Sequence, residues 1–252
     1  MTTTVITGAT GKFGRILVAD RLGRGDIVVA IASRDETLAT LRDGNAEADK
    51  NRRLVTVACD LTAPDAAKTI ADRCTQLKIA PDALINNARN LSYLRNAPDG
   101  GARRDDFVGE LTLDVVAPCE LTLALANRPG SQLTRVINIG SQYGVVAPNR
   151  ELYSVAGDQP PLHYGVAKAA LIQLTRELAV RLAPRVRINC ISFGGVEGRV
   201  DPDFKNRYAK LSPSGRMLRE DEIAGPVNFL LSDASSGMTG HNLVVDGGWT
   251  IW

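Results

Sequence analysis

The sequence predicts a single α/β domain, with a doubly wound parallel sheet and helices on both of its faces. Short apolar runs alternate with stretches of helical apolar spacing, which is the pattern of βαβ units. The first apolar run ends in a glycine-rich turn, a feature typical of phosphate-binding α/β folds. No linker, internal repeat or low-complexity segment interrupts residues 1–252, so we expect one domain over the whole chain.

Composition excludes several classes of function. The net charge is +2, from 30 basic and 28 acidic residues, which gives no reason to expect nucleic-acid or membrane binding. No apolar run approaches the roughly 18 residues of a membrane span. The four cysteines are widely spaced and only two histidines are present, so neither a disulfide framework nor a metal site is expected. These features predict a soluble, cytoplasmic protein.

The first strand and the turn after it indicate a nucleotide site. Residues 5–7 form a short apolar run, and residues 15–22 have helical apolar spacing. Glycines between them let the backbone approach a pyrophosphate, and the helix N-terminus supplies free N–H groups. A glycine-rich connection without a ligand is the alternative interpretation. The candidate phosphate-binding residues are Gly8, Thr10, Gly11, Lys12, Phe13 and Gly14.

The end of the second strand, residues 26–32, bears on the choice of cofactor. Ser33 and Arg34 follow this strand, where an acidic residue would bind a ribose 2′-hydroxyl and an arginine would accommodate a 2′-phosphate. Arg34 therefore favours NADP over NAD, with Lys12 or Arg15 as further cations. Asp35 keeps NAD possible, because a shift of register would bring its carboxylate to the ribose.

The remaining elements continue the alternation. We expect a polar helix end and loop over 41–53, a helix over 66–77 and a polar loop over 90–106. The later strands are expected at 54–61 (closing on Asp60 and Leu61), 83–88 (closing on Asn86, Asn87 and Ala88), 135–140, 186–191 and 243–252.

Tyr164 and Lys168 are the candidate reactive pair. They are four residues apart in a segment, 164–179, with helical spacing, so both side chains lie on one helix face. An ammonium beside a phenol favours the phenolate and suits the pair to proton transfer with a substrate hydroxyl. An ordinary solvated helix face carries the same spacing, so the pair alone is weak evidence.

Seven motifs in order resemble those of the short-chain dehydrogenase/reductase family over nearly the full length. They are residues 7–14, Asp60-Leu61, Asn86-Asn87-Ala88, Ser141, Tyr164 to Lys168, Gly194-Gly195-Val196 and Asp246-Gly247-Gly248.

The resemblance implies a Rossmann-type domain, a nicotinamide cofactor, and hydride transfer between a carbonyl and an alcohol. It implies that Tyr164 is the general acid and base, that Lys168 supports it and holds the nicotinamide ribose, and that Ser141 orients the substrate carbonyl. The cofactor would further contact Asp60, Leu61, Asn87, Ala88, Gly194 and Val196.

Departures from the family pattern leave other functions open. The glycine spacing is that of the family's sugar-nucleotide-modifying branch, which suggests an epimerase or dehydratase with tightly bound NAD. Asp114 occupies the position of the family's relay asparagine, and Arg89 replaces the glycine of Asn-Asn-Ala-Gly. Together with Phe193 and Gly198, Asp114 also motivates a third hypothesis, a non-catalytic NADP-binding sensor or assembly protein.

Two segments are expected at the mouth of the site. Residues 146–161 form an insertion between Ser141 and Tyr164, in which Arg150, Tyr153 and Asp158 are candidate substrate contacts; a surface loop that contacts another subunit is the alternative. Residues 197–217 would form a substrate lid.

The last residues and a second resemblance suggest a partner and a substrate class. The tryptophans at 249 and 252 predict an apolar patch buried in a homodimer or homotetramer. The segment 141–148, the Pro-Pro insertion and the Gly-Gly-Trp ending more faintly resemble a bacterial subgroup that makes surface or flagellar glycans, which favours a sugar-derived substrate.

Overall fold

The computed structural model describes residues 2–154, 156–198 and 200–252, and it shows one parallel sheet in the order β3-β2-β1-β4-β5-β6-β7. Every neighbouring pair of strands is parallel. The strand order reverses between β1 and β4, and such a reversal opens a crevice at the carboxyl ends of the strands. The strands are β1 (Thr3–Thr7), β2 (Ile27–Ala32), β3 (Leu54–Ala58), β4 (Ala83–Asn86), β5 (Arg135–Ser141), β6 (Arg187–Phe193) and β7 (Asn242–Val245).

Helices cover both faces of the sheet, so the predicted doubly wound α/β fold is confirmed. The helices are α1 (Lys12–Gly23), α2 (Asp35–Asp43), α3 (Ala46–Lys50), α4 (Ala66–Gln76), α5 (Arg104–Leu111), α6 (Ala117–Asn127), α7 (Leu162–Leu182), α8 (Pro202–Leu211) and α9 (Ala224–Leu231).

Each face of the sheet has its own apolar core. On one face the core contains Leu17 of α1, Leu38 of α2 and Leu230 of α9. On the other it contains buried side chains of α4, α6 and α7. Ile6 and Val5 of β1 belong to the first and second cores respectively, as the alternation of side chains along a strand requires. None of the helices in the described part of the chain is long and apolar enough to cross a membrane.

The predicted elements differ from the observed ones mainly at their ends. The predicted loop 90–106 gives way to α5 at Arg104, and the strand predicted over 243–252 ends at Val245. Beyond it, Gly247 and Gly248 have φ of 68° and 87°, and the Asp246 carboxylate accepts hydrogen bonds from the backbone N–H of Gly248 (2.8 Å) and Thr250 (2.9 Å). This carboxylate-capped turn, with glycines in the left-handed region, stops the strand.

A third, smaller core lies beyond the carboxyl ends of the strands. It contains Leu152, Tyr208, Met217 and Trp249, and the Trp249 ring is stacked on Tyr208 with 4.4 Å between centroids. Trp249 is 5% exposed within its own chain, so it cannot belong to the predicted apolar patch that another subunit buries, whereas Trp252 is 77% exposed.

Candidate active site

A cleft of about 1750 Å³ opens at the carboxyl ends of the strands, where the order reverses. Its wall combines residues that follow β1, β2, β4, β5 and β6. The sequence-predicted residues on this wall are Gly8, Thr10, Gly11, Lys12, Phe13, Ser33, Arg34, Asp60, Leu61, Asn87, Ala88, Ser141, Tyr164, Lys168, Gly194 and Val196. Gly14 and Asp114 are the two predicted site residues that the structure does not place on it.

The glycine turn brings the backbone of β1 against that of β4. Gly8 has a φ of 61°, and a Cβ on it would lie 2.6 Å from the Cα of Ala88. A Cβ on Gly14 would lie 2.1 Å from the carbonyl oxygen of Gly8, which explains why Gly14 packs behind the turn rather than on the wall. With Gly11 as its N-cap, α1 begins at Lys12 beside the cleft, as anion binding requires.

Asn87 fixes the floor of the cleft. Its amide Nδ2 donates to the carbonyl oxygens of Thr7 (3.0 Å) and Gly8 (3.2 Å). In return, the hydroxyl of Thr7 accepts hydrogen bonds from the backbone N–H of Asn87 (2.9 Å) and Ala88 (3.1 Å). These bonds hold together the ends of β1 and β4, on either side of the reversal in strand order.

At the end of β2, the side chains of Arg34 and Asp35 lie in different surroundings. Arg34 is exposed and lies on the wall, whereas Asp35 begins α2 and its carboxylate is 3.5 Å from the guanidinium of Arg42. Lys12 is paired with Glu220 at 3.1 Å, and Arg15 donates to the carbonyl oxygen of Thr10 at 2.9 Å. The residues present fit a dinucleotide, with a cation rather than a carboxylate at the ribose end.

Helix α7 places Tyr164 on the cleft wall and Lys168 beneath it. The Nζ of Lys168 lies 5.8 Å from the centroid of the Tyr164 ring and donates to the carbonyl oxygen of Ile139 at 3.1 Å. It is also 3.0 Å from the Asp114 carboxylate, with both side chains buried. Burial opposes the charge of Lys168, but the negative charge of Asp114 and the neighbouring Tyr164 outweigh it, so its pKa is raised.

Ser141 ends β5 and shares the wall with Tyr164. Its hydroxyl oxygen accepts a hydrogen bond from the backbone N–H of Tyr143 at 3.2 Å, which leaves the hydroxyl proton available for another acceptor. The structure therefore places Ser141, Tyr164 and Lys168 on the wall of one cleft.

Asp114 approaches Lys168 from a π-helical segment, Thr112–Val116, that connects α5 with α6. Such insertions into helices are frequent at functional sites. Asp114 and Lys168 both line a second, closed cavity of about 10 Å³, together with Thr7 and Asn86. That volume is close to the minimum for one water molecule with polar neighbours.

Sequence reasoning missed Glu110, one helical turn before Asp114. It is 1% exposed, and neither carboxylate oxygen has a hydrogen-bond partner in the described part of the chain. Burial and the charge of Asp114 raise its pKa to about 7, against the opposing effect of Lys168 and Arg89. The signal was present, because Asp106, Glu110 and Asp114 are spaced four residues apart and so share one helix face.

A second missed residue is Arg89, which follows β4 and lies on the cleft wall. Its guanidinium carbon is 5.1 Å from the centroid of the Tyr164 ring. This is within the distance of a cation–π contact. The replacement of the family's glycine by arginine marked this position in the sequence.

The insertion and the lid meet at the mouth of the cleft. Val155 of the insertion and Arg199 of the lid fall outside the described residues. Within the remainder, Tyr153 and Asp158 lie on the wall and Arg150 does not. Arg207 of α8 donates to the carbonyl oxygen of Leu152 at 2.8 Å, and so ties the lid to the insertion.

The loop before α5 closes the other side of the mouth. The amide of Asn96 donates to the carbonyl oxygens of Gly157 (3.0 Å) and Gln159 (2.8 Å) in the insertion. Phe193, where the family has proline, lies on the wall and packs edge-on against Phe13 with 5.5 Å between ring centroids.

A doubly wound parallel sheet with a dinucleotide-sized cleft and a Tyr-Lys pair in its wall defines the class of nucleotide-dependent α/β oxidoreductases. A family model described as enoyl-(acyl carrier protein) reductase matches residues 16–250. The chain belongs to the short-chain dehydrogenase/reductase family, whose members are enzymes that use nicotinamide cofactors.

Known proteins resemble the chain over nearly all of its length. Post-translational flagellin modification protein A of Campylobacter coli is 27% identical over 258 residues, which cover 98% of this chain and 97% of that protein. An uncharacterized short-chain type dehydrogenase/reductase of Sinorhizobium fredii is 29% identical over 257 residues, and the match covers 97% of this chain but 43% of the relative. The solved structure of a short-chain dehydrogenase of Leptospira borgpetersenii, with bound NAD+, is 28% identical in sequence and superimposes with a TM-score of 0.84. The match covers 99% of this chain and 92% of the Leptospira chain.

Proposed function

We propose that the chain is an NADP(H)-preferring oxidoreductase that interconverts a polar, sugar-derived carbonyl and the corresponding secondary alcohol. The observation that carries the proposal is that Ser141, Tyr164, Lys168 and Arg34 all lie on the wall of one cleft. A relative named as an NADH-dependent L-xylulose reductase of Ambrosiozyma monospora, 27% identical over 269 residues, supports a sugar-derived substrate.

Each side chain has a task that its surroundings suit. The hydroxyl of Tyr164 transfers the proton at the substrate oxygen, and the hydroxyl of Ser141 donates to that same oxygen. The buried charge of Lys168 stabilises the tyrosinate formed when Tyr164 gives up its proton. When bound, the nicotinamide supplies or accepts the hydride.

Asp114 keeps Lys168 charged and offers a route for the proton behind the site. Its carboxylate is 3.0 Å from Nζ, and the small cavity beside the pair has room for about one water molecule. A water there would accept a proton from Lys168 and contact Asp114. An aspartate thus takes the part of the relay asparagine, at the cost of a buried negative charge.

The preference for NADP(H) rests on Arg34. Its side chain is exposed at the ribose end and makes no ion pair within the described residues, while Asp35 is held by Arg42. A guanidinium suits a phosphate because it donates two parallel hydrogen bonds.

Replacing Tyr164 by phenylalanine tests the proposal. Turnover of a keto-sugar and sugar-acid panel, followed by NADPH oxidation, should fall by about 100- to 10,000-fold, the contribution of a positioned acid–base group. NADPH binding, measured by fluorescence, should be unchanged. Tyr93→Phe is the matched control, since Tyr93 does not lie on the wall.

Unchanged turnover in the Tyr164 variant would disprove the assigned role. Consumption of one NADPH per product separates this function from an epimerase or dehydratase, which regenerates its bound NAD within each turnover. A wild-type chain that binds NADPH but reduces no carbonyl would favour the sensor hypothesis.

The enzyme is further proposed to be a homo-oligomer. Helices α5 and α7 pack against each other and expose Val108 (53%), Leu162 (60%) and Val166 (45%). Exposed apolar side chains on adjacent helices are typical of an interface between copies of a chain. Light scattering of the purified protein gives the mass and separates monomer, dimer and tetramer.

A further inference from the structure

Six cationic side chains line the cleft, and most of them already have partners. Lys12, Arg95 and Lys168 are ion-paired with Glu220, Asp106 and Asp114, and Arg15 donates to a backbone carbonyl. Within the described residues, the guanidinium groups of Arg34 and Arg89 form neither a hydrogen bond nor an ion pair. Two cations of the cleft are therefore available to a ligand.

These two arginines follow the strands on either side of β1. Arg34 follows β2, at the end assigned to the ribose phosphate, so it is accounted for by the cofactor. Arg89 follows β4, and its guanidinium lies over the ring of Tyr164, whose hydroxyl is the proposed proton donor to the substrate oxygen. No group of the proposed cofactor site uses Arg89, and the family glycine at this position would offer no charge.

We infer that Arg89 is the anchor for a carboxylate of the substrate, so that the enzyme acts on hydroxy or keto acids whose carboxylate lies within one or two bonds of the reacting carbon. This inference rests on the proposed function and specifies the substrate class of the same site. The short distance is expected because the guanidinium carbon lies 5.1 Å from the centroid of the ring that carries the proposed proton-transferring hydroxyl.

The other groups around Arg89 fit the hydroxyl groups of such an acid. Asn90, Asp158 and Gln159 lie on the wall of the same cleft and provide hydrogen-bond acceptors. The Asn96 amide holds the Gln159 backbone in place. A carboxylate fits the guanidinium as a bidentate acceptor, whereas a neutral carboxamide would leave that cation without a partner.

Matched pairs of acids and amides test the inference. Wild-type kcat/KM should favour hydroxylated 2-keto and 3-keto acids of three to six carbons over their carboxamides by roughly 10- to 100-fold, the effect of a charge-assisted bidentate pair. Arg89→Gln should remove this preference, so that the kcat/KM values of an acid and its carboxamide become similar in the variant. Arg89→Lys should keep part of it, because an ammonium restores the charge but not the two parallel donors.

Arg103→Gln is the matched control, because Arg103 is exposed like Arg89 but does not line the cleft. It should keep the full preference for acids. A wild-type enzyme that treats acids and amides alike would overturn the inference, and so would an Arg89→Gln variant that still discriminates between them.

Isothermal titration calorimetry measures ligand binding directly and does not depend on turnover. The NADPH-saturated protein should bind glycerate more tightly than glyceramide, and Arg89→Gln should remove the difference. Glycerate binding that depends on Arg89, in a protein that reduces no carbonyl, would refute the proposed reaction and retain the anchor. No detectable glycerate binding, or tighter binding of inorganic phosphate than of glycerate, would refute the carboxylate anchor itself.

Discussion

Replacing Glu110 by glutamine should change how the stability of the protein depends on pH. Glu110 is buried without a hydrogen-bond partner in the described residues, and burial together with Asp114 raises its pKa from the ordinary 4.5 to about 7. The folded state therefore holds a proton on Glu110 between pH 4.5 and 7 that the unfolded state releases. The stability from this group is complete below pH 4.5 and is lost as the pH rises through 7.

The magnitude follows from the two pKa values of Glu110. At about 1.4 kcal/mol per pKa unit, raising the value from 4.5 to about 7 corresponds to about 3 kcal/mol of unfolding free energy. Glutamine has the shape of the protonated side chain and carries no charge at any pH. The Glu110→Gln variant should match the wild type near pH 4.5 and exceed its stability by up to about 3 kcal/mol at pH 8.

Urea unfolding at pH 5, 6, 7 and 8, followed by circular dichroism, measures this difference. Glu120→Gln on α6 is the control, because Glu120 is exposed and the same substitution there should give a nearly pH-independent effect. A difference between Glu110→Gln and the wild type that stays constant from pH 5 to 8 would refute the reasoning. In that case the Glu110 carboxylate is solvated or paired in the native state.

Three further substitutions probe the cleft. Arg34→Ala should raise KM for NADPH by roughly 10- to 100-fold and leave KM for NADH nearly unchanged, and equal effects on both would contradict a phosphate contact. Asp114→Asn removes a carboxylate that raises the pKa of Lys168, so the alkaline limb of the pH profile of kcat/KM should move to lower pH. The free energy of unfolding should fall by about 3–5 kcal/mol, because one partner of a buried ion pair is lost. An alkaline limb that stays at the wild-type pH would contradict the ion pair. Gly14→Ala should abolish NADPH binding, since its Cβ meets the Gly8 carbonyl oxygen, whereas Gly23→Ala, with open space around it, should bind normally.

The sheet could be predicted from the sequence because its signals are local. Apolar runs of strand length and the turn after β1 are read within a few residues, and the parallel order follows from their alternation with helices. The ends of the strands were harder to predict, because they depend on which residues form hydrogen bonds with the neighbouring strand. The prediction that β7 continues to residue 252 failed, since the Asp246 carboxylate and two glycines make a turn whose geometry the apolar run does not reveal.

The residues of the candidate site also fall into two groups, those that local sequence signals predict and those that they do not. Ser141, Tyr164 and Lys168 come to one place because each is fixed to the end of a strand or the face of a helix. Glu110 and Arg89 were missed because their roles depend on neighbours distant in the chain. A charged residue in a polar segment is usually exposed, and Glu110 is buried because α5 packs this face against α7.

The small core around Tyr208 and Trp249 also allows the mouth to move independently. It is separate from the two cores that enclose the sheet, so it can open while they stay intact. Tyr208 reaches from it to the cleft, where its hydroxyl accepts from the backbone N–H of Gly195 at 2.9 Å and donates to the Gln142 side chain at 3.0 Å. Opening this small core would break a few aromatic contacts, at a free-energy cost below that of unfolding the whole domain.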